Sequence, residues 1–366
     1  MNIPVLERTV SQKLAVVDCD IHPVQRSNAD LHPFLEKRWR EHMATFGPHV
    51  RQGLSSQLAY PRMMASGMRA DSYPSNGGPP GSDLDLMRRQ YLDPGGVEFG
   101  MMISLSRGGM EERNLEFAAA LARAVNDWQK EEWVRKEPRL RAGIVVPQED
   151  TAFAVSEIER RATDRSFSQI IISPRSSDPL GHRRYWPIFE AAQRCNRPIA
   201  LHVQGFSGGH ASTASGWPTY YMEEHYAATT GMQNTLTSLV FEGVFERFPK
   251  LKVVLVEGGF AWAPALCWRM DKHWERLRVE TPHVKRPPSE YVREHVWFTT
   301  QPIEEPDNPQ HLAEVIEWLG WDRLMFSTDY PHWDFDHPQE VLKFKMTEVQ
   351  KAKVFRDNAK ALYGLQ

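Results

Sequence analysis

The stretch KLAVVDCD at residues 13–20 decides the fold, and it continues directly into the residues IHP. Its apolar part is nearly continuous, as expected for a parallel strand that is buried on both faces. Two similar runs, LKVVLVEG at 251–258 and RLMFSTDY at 323–330, also finish in ionisable residues. Buried strands that end in charged groups predict a functional site at one edge of a parallel sheet.

Five more runs of this kind lie along the chain: VEFGMMIS at 97–104, LRAGIVVP at 140–147, FSQIIISP at 167–174, PIALHV at 198–203 and VWFTTQP at 296–302. Helical patterns separate most of them, including one at 111–135 and one at 234–248. Eight strands alternating with helices predict an α/β fold, a (β/α)8 TIM barrel, as one domain over residues 1–366. Long insertions are expected after the first strand, at about 23–94, and after the fifth, at about 205–232. We interpret both as a lid or pocket wall or, equally, as oligomer contacts.

Composition excludes several classes of function. The 366 residues carry a formal net charge of -3 with no basic stripe, which argues against a nucleic-acid partner. The apolar runs are too short and too interrupted to span a membrane, and residues 1–13 show no secretory signal. Three widely spaced cysteines fit a reducing compartment. We therefore expect a cytoplasmic protein whose partner is a small molecule.

The charged strand ends predict a metal site. Because strand residues alternate, Asp18, Asp20 and His22 are expected to face the same way. His202 ends the fifth strand and Asp329 the eighth, at the same rim of the barrel. Asp20, His22, His202 and Asp329 thus predict a site for one divalent cation, zinc first, with manganese or iron as alternatives. Taken singly, His202 has a hydrogen-bonded structural role as its alternative, and Asp329 the role of a turn former.

One further residue is a candidate for catalysis beside Asp329, which would accept a proton from a metal-activated water. Glu257 ends the sixth strand before two glycines. It would be a ligand, a general base or a carboxylate that orients His202, and its alternative is a buried salt bridge to an arginine such as Arg269.

Residues that follow other strands are candidates for substrate binding. Arg175, after the fourth strand, would clamp a carboxylate with two parallel hydrogen bonds. The other candidates are His210, Trp217 and Tyr221 after the fifth strand and Gln301 after the seventh, with Tyr220 and Trp333 as further wall residues. Each has a plain packing role as its alternative, and for the aromatic residues we favour packing.

Several motifs resemble one family. VVDCDIHP, YWPIFEAA, ALHV, VEGGFAWAP, FSTDYPH and the closing FRDNAKALYGL are similar, in order, to the amidohydrolase-related branch (amidohydrolase 2) of the amidohydrolase superfamily. That branch includes aminocarboxymuconate-semialdehyde decarboxylase and the resorcylate-type decarboxylases. The resemblance implies the same four ligands, with Asp20 in place of the commoner histidine, and a dimer or tetramer. Glu257 departs from the catalytic histidine of many members, so His332 or His210 would have to supply that imidazole.

The resemblance leaves the reaction open. The first hypothesis is hydrolysis of a small cyclic or aromatic acid by a metal-activated water, with Asp329 as base. The second is metal-dependent, non-oxidative decarboxylation of such an acid, which makes the protein a carboxy-lyase. The third is a barrel that binds a metal or ligand without catalysis, and the intact ligand set argues against it.

Overall fold

The computed structural model describes residues 15–47, 67–105, 110, 112–203 and 218–366. In these residues eight strands form one sheet, and each strand pairs in parallel with the next. The strands are β1 (Val16–Ile21), β2 (Val97–Met102), β3 (Leu140–Val145), β4 (Phe167–Ile172), β5 (Ile199–His202), β6 (Val253–Val256), β7 (Val296–Thr299) and β8 (Leu324–Met325). Every strand falls within or overlaps its apolar run, and the predicted (β/α)8 barrel is confirmed.

Backbone hydrogen bonds join β1 to the chain that follows β8. His22 N donates to Tyr330 O at 2.8 Å, and Asp329 N donates to Asp20 O at 3.1 Å. The sheet therefore closes on itself, and the carboxyl ends of β1 and β8 lie side by side.

Helices surround the sheet in the described part of the chain. The α-helices are α1 (Lys37–Phe46), α2 (Leu84–Met87), α3 (Asp93–Gly95), α4 (Leu115–Trp128), α5 (Thr151–Arg161), α6 (Trp186–Arg194), α7 (Tyr221–Phe241), α8 (Val244–Arg247), α9 (Ala263–Leu277), α10 (Pro288–His295), α11 (Pro309–Leu319), α12 (Glu348–Ala352) and α13 (Asn358–Tyr363). Short 3-10 helices span Asn28–Phe34, Ala70–Ser72 and Arg183–Tyr185, and π-helical turns span Arg88–Leu92, Gln129–Val134 and Lys353–Asp357. None of these helices is both long and apolar enough to cross a bilayer.

The chain after β5 differs from its sequence-based prediction. Helix α7 begins at Tyr221, inside the stretch 205–232 that we interpreted as an insertion. The helix predicted at 234–248 is instead the end of α7 followed by α8. Gly243 separates the two, because its φ of 77° lies in the left-handed region that glycine adopts without strain. Residues 205–217 of this stretch lie outside the described residues.

A small buried cluster fills the inside of the barrel and is distinct from the larger core between strands and helices. Its members are Val17, Cys19, Phe99, Met101, Ile103, Ile171, Ala200, Val254, Val256, Met325, Ala359, Leu362 and Tyr363. Helix α13 supplies the last three, and Tyr363 donates a hydrogen bond to Gln169 near the start of β4 at 2.9 Å. Because α13 covers the amino-terminal end of the barrel, the carboxyl end is left for the site.

Candidate metal centre

Four ionisable side chains meet at the carboxyl ends of β1, β5 and β6. Asp20 and His22 come from the end of β1, His202 is the last residue of β5, and Glu257 follows β6. One donor atom from each lies within 4.8 Å of the others. Asp20, His22 and His202 are buried, whereas 12% of the Glu257 side chain is exposed. The structure therefore places Glu257 beside three of the four predicted ligands.

The distances in this group are those of atoms that point at a common centre. His22 Nε2 lies 3.2 Å from Asp20 Oδ1, and His202 Nε2 lies 3.6 Å from Asp20 Oδ2. His202 Nε2 is also 2.9 Å from Glu257 Oε2, without the alignment of a hydrogen bond. Arg269, the alternative partner considered for Glu257, is exposed on α9.

Several atoms of this group have no hydrogen-bond partner among the described residues. They are both carboxylate oxygens of Asp20 and both ring nitrogens of His202. Buried polar atoms are nearly always paired, because an unpaired one loses its hydration without compensation. Buried oxygens and nitrogens that converge without donors between them fit a cation, and these residues pass that test.

The hydrogen bonds of His22 fix its orientation. Its Nδ1 lies 2.7 Å from the carbonyl oxygen of Ile103, and because a carbonyl only accepts, Nδ1 carries the proton. In the neutral ring Nε2 then presents a lone pair to the group, an arrangement typical of metal-ligating histidines. Asp329 Oδ1 lies 2.6 Å from that nitrogen. Two acceptor atoms this close require a proton or a cation between them.

Asp329 connects this group to a second one. Its Oδ1 lies 2.6 Å from His22 Nε2 and 2.5 Å from His332 Nδ1, so the three side chains form a continuous chain of contacts. Asp329 Oδ2 is buried and has no hydrogen-bond partner among the described residues. The fourth predicted ligand is thus joined to the first group through His22, and the predicted catalytic His332 contacts it.

In the protein alone, protons offset the negative charge of these carboxylates. Burial by itself lowers the pKa of His202, but the charges of Asp20 and Glu257 raise it to about 10. Burial also lowers the pKa of His332, and the Asp329 carboxylate raises it to about 9. Burial and the charge of Asp329 raise the pKa of Glu257. A divalent cation would take over the compensation that these protons provide.

Two members of the site have strained backbones. Glu257 has a φ of 58° and Asp329 a φ of 62°, in the left-handed region that residues with a Cβ seldom adopt. Such a conformation costs about 1–3 kcal/mol per residue and is concentrated at functional sites. Glu257 directly follows β6 and Asp329 lies beyond the end of β8, and the carboxylates of both contact histidines of the site.

Asp18 does not join the group, contrary to the expectation from strand alternation. Its Oδ1 accepts from Asp20 N at 3.0 Å and Thr328 N at 3.1 Å, and its Oδ2 accepts from the hydroxyls of Thr328 and Tyr91. The pairing register between β1 and β2 shifts between Asp18 and Ile21, which breaks the regular alternation. Asp18 instead ties β1 to the end of β8.

Two of the predicted substrate-binding residues follow the carboxyl ends of β4 and β7. Arg175 is half-buried just after β4. Gln301 is buried after β7, donates from Nε2 to Asp334 O at 3.4 Å, and has an Oε1 with no hydrogen-bond partner in the described chain. His210 and Trp217 lie outside the described residues, so their predicted roles stay predictions.

Tyr221 belongs to a polar and aromatic cluster that was not predicted as a unit. Its hydroxyl accepts from Trp333 Nε1 at 3.1 Å and lies 3.3 Å from His225 Nδ1. His225 Nε2 lies 3.1 Å from Asp334 Oδ2. The sequence contained one signal for this: His225 follows Tyr221 by one helical turn, a spacing at which side chains meet.

His225 also lies within the electrostatic field of the metal-binding group. Its hydrogen bond to Asp334 is the main cause of a raised pKa, and the charges of Glu257 and Asp329 contribute. The charges of these carboxylates therefore favour the protonated form of His225.

The closed barrel and its charged rim define a metal-dependent enzyme of the amidohydrolase superfamily, a hydrolase or a carboxy-lyase. The chain belongs to the amidohydrolase family, whose model matches residues 17–365. The family resemblance drawn from the sequence motifs is thereby confirmed.

Individual relatives are similar over most of the barrel. The gamma-resorcylate decarboxylase of Polaromonas sp. is 27% identical over 299 residues, which cover 77% of this chain and 88% of that protein. The 2-amino-3-carboxymuconate-6-semialdehyde decarboxylase of Dictyostelium discoideum is 24% identical over 218 residues, 58% of this chain and 57% of that protein. Among solved structures, the dihydroxybenzoic acid decarboxylase of Polaromonas sp., with bound manganese and the inhibitor 2-nitroresorcinol, superposes with a TM-score of 0.64 at 22% identity, covering 96% of this chain and 97% of that one.

Proposed function

We propose that this protein is a metal-dependent, non-oxidative decarboxylase of a small aromatic or related carboxylic acid. The observation that carries the proposal is the convergence of Asp20, His22, His202 and Glu257, with the pair of Asp329 and His332 in contact with it. The relatives named above are decarboxylases, which supports this reaction, the second of our hypotheses, over hydrolysis. Glu257 is the one observation that favours hydrolysis, because it replaces the catalytic histidine that the resemblance implies.

We propose manganese as the physiological cation, although the donor set by itself suggested zinc first. The group offers carboxylate oxygens from Asp20, Glu257 and Asp329 and nitrogens from two histidines. A set this rich in oxygen suits Mn²⁺ well. The manganese in the related Polaromonas structure supports the same choice.

When bound, the cation would hold the substrate carboxylate and a neighbouring hydroxyl oxygen and neutralise their charge. The proton that replaces the carboxylate is held between Asp329 Oδ1 and His332 Nδ1, which lie 2.5 Å apart. Its transfer to the ring carbon forms the new C–H bond as the C–C bond to the carboxylate breaks. The electrons of that bond restore the ring and CO2 leaves, so no oxidant is needed.

The chain's other residues position the substrate. His202 Nε2 lies between carboxylate oxygens of Asp20 and Glu257, and Gln301 presents its Oε1 at the end of β7. Tyr221 and Trp333 form an aromatic wall with polar tips, suited to a flat ring that carries hydroxyl groups. His332 takes the role of the imidazole that Glu257 replaces.

The test is product analysis with the manganese-loaded enzyme. A panel of hydroxybenzoic acids, including 2,6-dihydroxybenzoate and 5-carboxyvanillate, is incubated with the enzyme and the released CO2 is trapped. Decarboxylation predicts one CO2 per decarboxylated product, and none after chelation of the metal. Consumption of a substrate without CO2, with oxygen from labelled water in the product, would establish hydrolysis instead.

A further inference from the structure

The chain segment that carries Glu257 is a tight turn between β6 and α9. Residues 257–261 read EGGFA, and Glu257 and Gly259 have φ values of 58° and 62°. The direction of a side chain on such a turn depends on how firmly the backbone of the turn is fixed. The contacts of the turn therefore decide where the Glu257 carboxylate points.

Strand β7 and the loop after it brace this turn at two points. Glu257 N donates to Thr299 Oγ1 at 3.3 Å. Farther along the turn, Phe260 N and Ala261 N both donate to Glu304 Oε1 at 2.9 Å. One carboxylate oxygen of the half-buried Glu304 thus accepts hydrogen bonds from two successive backbone N–H groups, an arrangement that holds the backbone more firmly than a single neutral hydrogen bond.

Gly259 allows the Glu304 carboxylate to approach. A Cβ at this position would lie 2.7 Å from Glu304 Oε1, closer than carbon and oxygen pack. The other oxygen of Glu304, Oε2, is buried without a hydrogen-bond partner among the described residues. A carboxylate is costly to bury, and among the described residues the Glu304 side chain accepts two hydrogen bonds from the turn that carries Glu257.

We infer that Glu304 is a positioning residue for the metal centre: it holds the turn after β6 so that the Glu257 carboxylate is aimed at the cation. Glu304 acts through the backbone and touches neither cation nor substrate. The inference rests on the metal centre of the proposed function and not on the reaction. Its alternative is that Glu304 only anchors the start of α9.

A matched control exists elsewhere in the barrel. Asp271 on α9 fixes the start of α10, from which it is distant in sequence. Its carboxylate accepts hydrogen bonds from Ser289 N at 2.8 Å and from Ser289 Oγ at 2.6 Å. Asp271 is not part of the metal-binding group. Asp271→Ala therefore reports what the loss of a helix-bracing carboxylate does by itself.

The experiment measures Mn²⁺ affinity by calorimetric titration of the chelator-treated full chain, without substrate. Glu304→Ala is expected to weaken Mn²⁺ binding about tenfold or more, the usual effect of removing a group that orients a ligand. Glu304→Gln should restore most of the affinity, because its amide oxygen accepts the same two N–H groups. Asp271→Ala should lower Tm and leave Mn²⁺ affinity unchanged.

A double-mutant cycle separates positioning from general stability. In a Glu257→Ala background, Glu304→Ala should change Mn²⁺ affinity less than about twofold, since the carboxylate that it positions is gone. If Glu304→Ala binds Mn²⁺ like the wild type, or if the two losses add, Glu304 is only an anchor and the inference is wrong. Should Glu304→Ala not fold, Glu304→Asp takes its place under the same criteria, because its shorter side chain cannot reach both N–H groups.

The outcome is independent of the proposed reaction. A wild-type protein that binds Mn²⁺ but releases no CO2 would overturn the decarboxylase proposal and leave the role of Glu304 standing. A wild-type protein that binds no divalent cation would overturn both.

Discussion

The barrel buries carboxylates at both ends, but the hydrogen-bond partners of these carboxylates differ between the two ends. Just before β3, at the amino-terminal end, Glu137 accepts hydrogen bonds from Arg139 and Arg88 at 2.8 Å, using both oxygens. At the end of β1, neither oxygen of Asp20 has such a partner among the described residues. A fully paired carboxylate stabilises the fold, whereas an unpaired one beside two imidazoles is suited to a cation.

The pKa values of two glutamates show the same contrast. Hydrogen bonds from Arg139 and Arg88 lower the pKa of Glu137 to about 2. Burial raises the pKa of Glu257, and the nearby charge of Asp329 raises it further. Burial alone therefore does not reveal the role of a carboxylate, and its partners have to be known.

The largest expected effect in this comparison is that of Asp329→Asn on turnover. The amide cannot hold or transfer the proton that Asp329 shares with His332, so kcat should fall about 10³-fold, within the range for loss of acid–base catalysis. The measurement is the rate of CO2 release, with Tm as the control for folding. A variant that keeps a tenth of the wild-type rate would remove Asp329 from the chemistry.

Next in size is the effect of Glu137→Ala on stability. The change leaves Arg88 and Arg139 without their shared partner, although each keeps an exposed aspartate. We expect the free energy of unfolding to fall by about 2–3 kcal/mol, less than for a fully buried pair because both arginines are partly exposed. Urea denaturation measures it. Mn²⁺ affinity should not change, and a parallel loss of metal binding would contradict the separation of the two ends.

The stabilisation by Glu137 should also depend on pH. Because its pKa in the folded protein is about 2, below the ordinary 4.5, the contribution is fully present above pH 4.5 and is lost as pH falls towards 2. The difference in unfolding free energy between the wild type and Glu137→Gln should therefore shrink between pH 5 and pH 3. A difference that stays constant over this range would show that hydrogen bonding without charge accounts for the effect.

The smallest expected effect is that of Asp20→Asn on the metal-free protein. Removing a buried charge relieves the cost of its burial but loses its attraction to the protonated His202, so the free energy of unfolding should change by about 1 kcal/mol at most. Added Mn²⁺ should raise the Tm of the wild type and not that of the variant. A clear loss of stability in the metal-free variant would mean that Asp20 stabilises the fold without a cation.

Much of the barrel was predictable because its strands are buried on both faces. Such strands appear as short, continuous apolar runs, and all eight were found in this way. Their carboxyl ends were less well predicted: the last run extends to residue 330, whereas β8 ends at Met325. Beyond Met325 the chain leaves regular strand pairing, and Asp329 adopts a left-handed backbone that local sequence patterns do not reveal.

By itself the sequence determined the eight-stranded barrel, the rim that carries the site, and His22, His202 and Asp329 as residues that would meet there. These follow from local patterns, because the carboxyl ends of all strands in a parallel barrel lie at the same rim. Only the tertiary structure decided that Glu257 joins the group, that Asp18 does not, and that Asp334 pairs with His225. Those outcomes depend on register shifts, strained backbones and contacts between residues distant in sequence. A local sequence pattern reveals none of these features.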